Sequence, residues 1–184
     1  MAHRVKTGDA ELISLARQGD SAAFGQLVGR YYDFIYRVAF RWCGRQADAE
    51  DVAQDVCVRL ARAIESYRGG SAFTTWLYSM TLNAARDLRR RSVREEMRND
   101  AYRAHALSAA SVEPAETHDP ADELWQAVRQ LSDKQRDAVL LVYGEELSHA
   151  RAADVMGISE ATVSWHIHEA KKRLKTLMRA AGEV

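Results

Sequence analysis

The side chains best suited to chemistry in this sequence are basic residues gathered in two short stretches. Five arginines stand in residues 86–94 beside one acid, Asp87. Near the carboxyl end, Glu169 is followed by five cations: Lys171, Lys172, Arg173, Lys175 and Arg179. The 26 Lys and Arg are balanced by 26 Asp and Glu over all 184 residues, so this positive charge is local. Such clusters attract phosphate groups and predict two nucleic-acid-binding surfaces, although solvated helix ends would show the same pattern.

Aromatic residues precede the first basic stretch. Tyr67, Phe73, Trp76 and Tyr78 surround a Gly69-Gly70 loop, and a polar set follows: Asn83, Arg86, Arg89 and Arg90. Aromatic rings beside a basic helix can hold unstacked bases while the cations neutralise phosphates. The spacing of Phe73 and Trp76 also fits ordinary core packing, so two interpretations remain open.

The second basic stretch follows a pattern typical of a helix-turn-helix. Ala152 and Ala153 allow a close helix crossing, Gly157 allows a sharp turn, and Val163 and Ile167 would hold the second helix against the first. The free face would then reach DNA through five side chains: Glu160, Ser164, Trp165, His166 and His168. A helical hairpin without a ligand is the alternative, and the basic extension favours DNA binding.

A third pattern combines acids with an apolar stripe. Asp48, Asp51 and Asp55 stand near the start of a segment whose apolar residues recur every four positions: Val52, Val56, Leu60 and Ile64. Acids stabilise the amino-terminal end of a helix, which is a structural role. The same acidic face could dock a partner helix, and the spacing alone does not separate the two roles.

Helices predicted from capping signals position all these residues. Asp20 begins a helix that Gly44 ends, Asp48 begins a second that stops near Tyr67, and a third runs from Phe73 to about Arg91. A short helix before Asp20 is allowed, and residues 95–100 could extend the third helix. In the second half, four helices begin after these residues: Asp119, Ser132, Ser148 and Ser159. No segment alternates with period two, so we expect an all-α protein whose two units are joined by a flexible linker.

Other classes of protein are disfavoured. The sequence contains no stretch of eighteen apolar residues, so it predicts no membrane span. Met1–Ala10 lacks the apolar centre of a secretory signal. Cys43 and Cys57 have no histidine near them in sequence, and we expect reduced, structural thiols. Phosphate-binding glycine loops and metal-binding motifs are missing from the sequence, so we expect a non-enzymatic, cytoplasmic protein without cofactor or metal.

In this order and at this spacing, the three patterns resemble the extracytoplasmic-function (ECF) group of bacterial sigma-70 family sigma factors. Ser21–Arg91 resembles region 2, and Asp122–Met178 resembles region 4. The resemblance implies four parts: an N-terminal extension (1–19), region 2 (20–94), a linker (95–119) and region 4 (120–180). It also implies an alternative sigma factor that directs RNA polymerase to −10 and −35 promoter elements in a stress or envelope response.

The resemblance assigns roles residue by residue and implies three partners, namely core RNA polymerase, promoter DNA and a possible anti-sigma factor. It assigns core polymerase contact to Asp51, Gln54 and Asp55. It assigns binding and melting of the −10 element to Tyr67, Ser71, Trp76, Asn83, Arg86, Arg89 and Arg90. It assigns binding of the −35 element to Ser159, Glu160, Thr162, Ser164, Trp165, His166, His168, Lys171 and Lys172.

The alternative function is a helix-turn-helix transcriptional regulator that is not a sigma subunit. Such a regulator would need a receiver domain of alternating strands and helices, and the first half of the sequence has no strand pattern.

Overall fold

The computed structural model describes residues 8–103 and 120–182, which form helices, turns and no strands. The first unit contains α1 (Asp9–Arg17), α2 (Ser21–Cys43), α3 (Gln46–Ala63) and α4 (Phe73–Arg103). The second unit contains α5 (Pro120–Arg129), α6 (Asp133–Val139), α7 (His149–Met156) and α8 (Glu160–Gly182). The predicted all-α class is confirmed. Most of the predicted linker, including Ser108–Pro114, lies outside the described residues.

The first unit is built on α2, whose ends follow the sequence signals. The Asp20 carboxylate accepts hydrogen bonds from the backbone N–H groups of Ala22 and Ala23 at 2.8 and 3.0 Å. Gly44 ends the helix in the left-handed region at φ 78°, a conformation that glycine adopts without strain. The buried stripe of α2 packs against α1, α3 and α4. Its fully buried members are Leu27, Ile35, Val38 and Ala39.

The predicted start of α3 is wrong by two residues. The helix begins at Gln46, and Asp48 lies in its first turn with Oδ2 3.8 Å from the Arg45 Nε. Asp48 therefore pairs with a neighbouring cation and complements the helix dipole instead of capping the helix. The α-helical part ends at Ala63, earlier than predicted, and a 3-10 turn at Ile64–Ser66 leads into the glycine loop. Downstream, α4 continues through residues 95–103, an extension that the sequence allowed.

The second unit shows three of its four predicted caps, and the fourth, Asp119, lies outside the described residues. The Ser148 Oγ accepts from the Arg151 N–H at 3.3 Å, and the Ser159 Oγ accepts from the Thr162 N–H at 3.1 Å. Ser132 forms a capping box with Gln135. One detail differs from the prediction, because α6 widens into a π-helical turn at Leu140–Gly144.

The two units contact each other. α4 packs against α7, while α2 packs against α5 and the π-helical turn. Trp42 of α2 is 2% exposed and donates from Nε1 to the Asp137 Oδ1 of α6 at 2.9 Å. We call this contact region the interdomain interface. No helix in the described ranges combines the length and apolar character needed to cross a bilayer.

Candidate nucleic-acid interface

An aromatic cluster borders the glycine loop before α4. Tyr67 stacks on Trp76 with ring centroids 5.0 Å apart, and Phe73 meets Tyr67 edge-on at 5.4 Å. The Tyr67 hydroxyl donates to the Ser71 carbonyl at 2.6 Å, which fixes the ring against the loop. Phe73 is 7% exposed, whereas Tyr67 and Trp76 are half-buried. Phe73 is therefore core, and the Tyr67–Trp76 pair forms a rim on which a base can stack.

The polar residues of α4 come after this cluster and form two groups that face different directions. Asn83 is exposed, and its Oδ1 accepts from the Arg86 Nη2 at 2.6 Å. Arg90 has 61% of its side chain exposed and lies 3.1 Å from the Asp87 Oδ1. Arg86 and Arg89 instead face the second unit. Tyr67 and the first turn of α4 thus offer the rings, and Asn83 and Arg90 offer the exposed polar groups farther along the helix.

The outer face of α3 is acidic with an apolar residue at its end. Asp51 and Gln54 are exposed, and Val58, one turn farther on, is 49% exposed. Asp55 is half-buried and pairs with the Arg59 Nη2 at 2.7 Å, an interaction that raises the pKa of Arg59. The exposed residues of this face are therefore Asp51, Gln54 and Val58. Asp55 is only partly exposed and forms an ion pair with Arg59 of the same helix.

The second unit exposes one face of α8, the helix predicted to contact DNA. Val163 and Ile167 are buried at 0% and 5% exposure, so they hold α8 against the rest of the unit. The opposite face carries Trp165, which is 57% exposed, together with three exposed polar residues: Glu160, Ser164 and His168. The Ser164 Oγ lies 2.8 Å from the His149 Nδ1, so α7 restrains the orientation of this serine.

The remaining residues predicted for −35 binding have other contacts. The Thr162 hydroxyl bonds to the exposed Ser159 at 2.7 Å. His166 is half-buried, and burial together with Lys134 lowers the pKa of its imidazole. The Lys171 Nζ lies 5.4 Å from the centre of the Tyr143 ring, and the Lys172 Nζ lies 3.0 Å from the Glu169 Oε1. Both lysines remain exposed along the basic end of α8.

Sequence comparison identifies the two units. Residues 27–95 match sigma-70 region 2, and residues 121–174 match sigma-70 region 4. The chain is 31% identical over 177 residues to the ECF RNA polymerase sigma factor SigM of Mycobacterium tuberculosis, covering 95% of this chain and 87% of SigM. The chain belongs to the ECF group of the sigma-70 family. The predicted resemblance is thereby confirmed.

Two further comparisons agree with this assignment. The RNA polymerase sigma-H factor of Pseudomonas aeruginosa is 32% identical over 189 residues, covering 94% of this chain and 97% of that factor. The solved structure of CnrH in complex with the cytosolic domain of CnrY is 26% identical with a TM-score of 0.64, covering 92% of this chain and 96% of CnrH. The protein is an alternative sigma factor, and its relatives are transcription initiation factors. The first unit is region 2, so the alternative of a regulator with a receiver domain is set aside.

Sequence reasoning missed two exposed cations near these surfaces, Arg98 and Arg151. Arg98 continues, at an interval of four residues, the exposed side of α4 that carries Arg90 and Arg94, a helical spacing that could have revealed it. Arg151 of α7 is exposed and lines a groove together with Ser71 and Thr75. No local signal identifies Arg151, because the groove forms only where region 4 meets region 2. Within the part of the chain that the structure describes, no group of His, Cys, Asp or Glu is arranged to hold a metal ion.

Proposed function

We propose that this ECF sigma factor is a non-catalytic subunit that brings core RNA polymerase to promoters in the bacterial cytoplasm. The observation that carries this proposal is the pairing, in one chain, of an aromatic and basic surface on α4 with an exposed recognition helix, α8. The former is suited to unstacked bases and the latter to duplex DNA. The names of the relatives support a role in a stress or envelope response.

Each of the two regions then has its own proposed promoter element. Region 2, taken as residues 20–94, binds the −10 element through Tyr67, Trp76 and the polar side of α4. Region 4, taken as residues 120–180, binds the −35 element through α8, with Trp165 at its centre. The acidic face of α3 contacts core polymerase. CnrH was solved in complex with the cytosolic domain of CnrY, and we propose that this chain also binds a partner protein, an anti-sigma factor.

Transcription in vitro tests the whole proposal. Purified protein and bacterial core polymerase are offered a library of genomic fragments, and transcript starts are mapped. We expect starts that require the protein and share a two-element sequence upstream. Binding to duplex DNA without binding to core polymerase would contradict a sigma role and favour an independent regulator.

Arg90→Ala is expected to weaken promoter binding by the polymerase complex and to reduce its salt dependence. Arg90 is exposed on α4, and each phosphate contact releases condensed counterions. The slope of log K against log salt should fall in magnitude by about 0.9, measured by fluorescence anisotropy at several salt concentrations. Arg17→Ala, which removes an exposed charge from α1, is the matched control. An unchanged slope would argue against a phosphate contact at Arg90.

Asp51→Ala combined with Gln54→Ala is expected to weaken core polymerase binding at least about tenfold while the domain stays folded. Both side chains are exposed on α3 and hold no internal ion pair, unlike Asp55, whose removal would also release Arg59. Affinity is measured by interferometry with immobilised core enzyme, and circular dichroism checks the fold. Asp33→Ala, an exposed acid on α2, is the control. Wild-type affinity in the double variant would remove the α3 face from the polymerase contact.

A further inference from the structure

The exposed face of α8 carries an apolar pair near its amino-terminal end. Ala161 and Trp165 stand four residues apart, which places them one above the other on the helix surface, and both are exposed. They lie on the side of α8 away from Val163 and Ile167, which are buried. The indole of Trp165 is 57% exposed, so a large flat apolar surface faces outward beside a small side chain. We call Ala161 and Trp165 the apolar pair.

The indole of this pair is held in place by its own unit. The Trp165 ring meets the His166 ring edge-on, with centroids 4.9 Å apart and an interplanar angle of 61°. His166 is half-buried, so this contact restrains the indole from one side. The neighbouring Ser164 hydroxyl is restrained as well, because its Oγ lies 2.8 Å from the His149 Nδ1 of α7. An indole that is oriented before binding loses little conformational freedom when a ligand covers it.

The charges around the apolar pair disfavour a contact with the DNA backbone. Glu160 directly precedes Ala161 and is exposed, and Glu169 follows Trp165 by one turn. The cation on this side of the helix, Lys172, has its Nζ 3.0 Å from the Glu169 Oε1. Carboxylates repel phosphate oxygens, and an ammonium that is paired with a carboxylate attracts them less. The surroundings of the pair therefore suit the edges of bases better than the sugar-phosphate chain.

The major groove offers one apolar group to such a surface. Among the four bases, thymine alone presents a methyl group there, whereas the other groove atoms are hydrogen-bond donors or acceptors. Alanine and aromatic side chains are the kind that contact this methyl group. Ala161 and Trp165 are the second and sixth residues of α8. Residues near the amino-terminal end are those that a DNA-reading helix brings to the base edges.

We propose that Ala161 and Trp165 form a binding site for the C5 methyl group of thymine, and that the duplex element read by α8 contains a thymine at this contact. This assignment rests on the proposed role of α8 at the −35 element. It goes beyond that role because it names one base of the element, the atom that is recognised and the two side chains that select it.

Replacement of thymidine by deoxyuridine tests the methyl contact. Uracil keeps every hydrogen-bonding group of thymine and lacks only the methyl group. Short duplexes with a randomised centre are first selected on the full chain, alone and with core polymerase, to obtain a bound sequence. That sequence is then made with each thymidine replaced singly by deoxyuridine, and the affinity of each duplex is measured by fluorescence anisotropy.

We expect one replacement to weaken binding of the wild type about fourfold, the effect of losing one buried methyl group. In Trp165→Ala the same replacement should have no effect, and the affinity for both duplexes should equal that of the wild type for the uracil duplex. Trp165→Phe keeps an aromatic ring and should retain part of the discrimination, and Ala161→Ser should reduce it. Met178→Ala removes an apolar side chain that is 47% exposed about 20 Å farther along α8, and this control should keep the wild-type ratio.

Three results would overturn the methyl contact. The first is equal binding of the wild type to every singly replaced duplex. The second is a ratio of thymine to uracil affinity that persists unchanged in Trp165→Ala, because the methyl group would then act through the shape of the DNA. The third is the absence of any enriched sequence in both selections.

These results are separable from the outcome of the transcription assay. Discrimination that requires Trp165 supports the methyl contact even if no transcript starts depend on the protein, and the sigma role alone would then fail. Transcript starts that depend on the protein, together with a ratio of one in the wild type, would leave the sigma role standing and overturn the methyl contact.

Discussion

Trp42→Ala is expected to lower the free energy of unfolding by about 3–5 kcal/mol, the range for truncating a large buried aromatic side chain. Trp42 is 2% exposed at the carboxyl end of α2, and the Arg136 guanidinium lies 4.3 Å above its ring. The substitution removes this packing and leaves Asp137 without its indole donor. A loss of this size is a large share of the total stability of a small protein.

Urea denaturation followed by circular dichroism measures the effect of Trp42→Ala. Trp42→Phe keeps most of the ring and loses the 2.9 Å hydrogen bond to Asp137, so a smaller loss of about 1–3 kcal/mol is expected. Trp165→Ala removes an exposed tryptophan and should change stability by less than about 0.5 kcal/mol. Equal effects of Trp42→Ala and Trp165→Ala would show that the interdomain interface adds nothing to stability.

The second large effect is a pH dependence from Asp137. Burial raises the pKa of this carboxyl from 3.8 to about 6, and the opposing influences of Arg86, Trp42 and Lys134 do not offset it. The folded protein therefore binds a proton that the unfolded chain releases between about pH 4 and 6. The contribution of Asp137 to stability is fully present below pH 3.8 and is lost as pH rises through about 6, a change on the order of 3 kcal/mol.

Asp137→Asn isolates this contribution, because it keeps an oxygen acceptor for Trp42 and cannot ionise. We expect the variant to match the wild type near pH 4 and to exceed it in stability at pH 7.5. Asp33→Asn, at an exposed acid of α2, is the control, and its stability should change with pH in the same way as that of the wild type. If Asp137→Asn is less stable than the wild type at pH 7.5, the attraction between Arg86 and Asp137 exceeds the cost of burying the charge.

Local signals in the sequence predicted most of the secondary structure. Asp20, Ser148 and Ser159 accept backbone N–H groups as their positions indicated, and Gly157 ends α7 at φ 64°. The period of Val163 and Ile167 correctly predicted the buried face of α8. Caps and helical periods involve residues within a few positions of one another, so they can be recognised in a single sequence.

The interdomain interface was not predicted, and the reason is physical. Trp42 and Asp137 are 95 residues apart, and Arg41 and Glu145 are 104 apart. Arg136 and Asp137 stand beside the apolar run of α6, where charged residues indicate a solvated face. Their exposure is only 4% and 1%, and both side chains contact Trp42 of the other unit, a contact that no helical period encodes. The same holds for the individual DNA-binding roles, which stay predictions.

The exposure of Trp165 on α8 has a spectroscopic consequence. Its indole is 57% exposed, so we expect it to emit at longer wavelength than the Trp42 indole, which contacts Arg136 and Asp137. The half-buried Trp76 and Trp125 lie at two further places, one beside the glycine loop and one against Gly144. The chain thus carries four tryptophans in four distinct environments, one on α8, one in the interdomain interface, one in the proposed base-stacking rim and one within region 4.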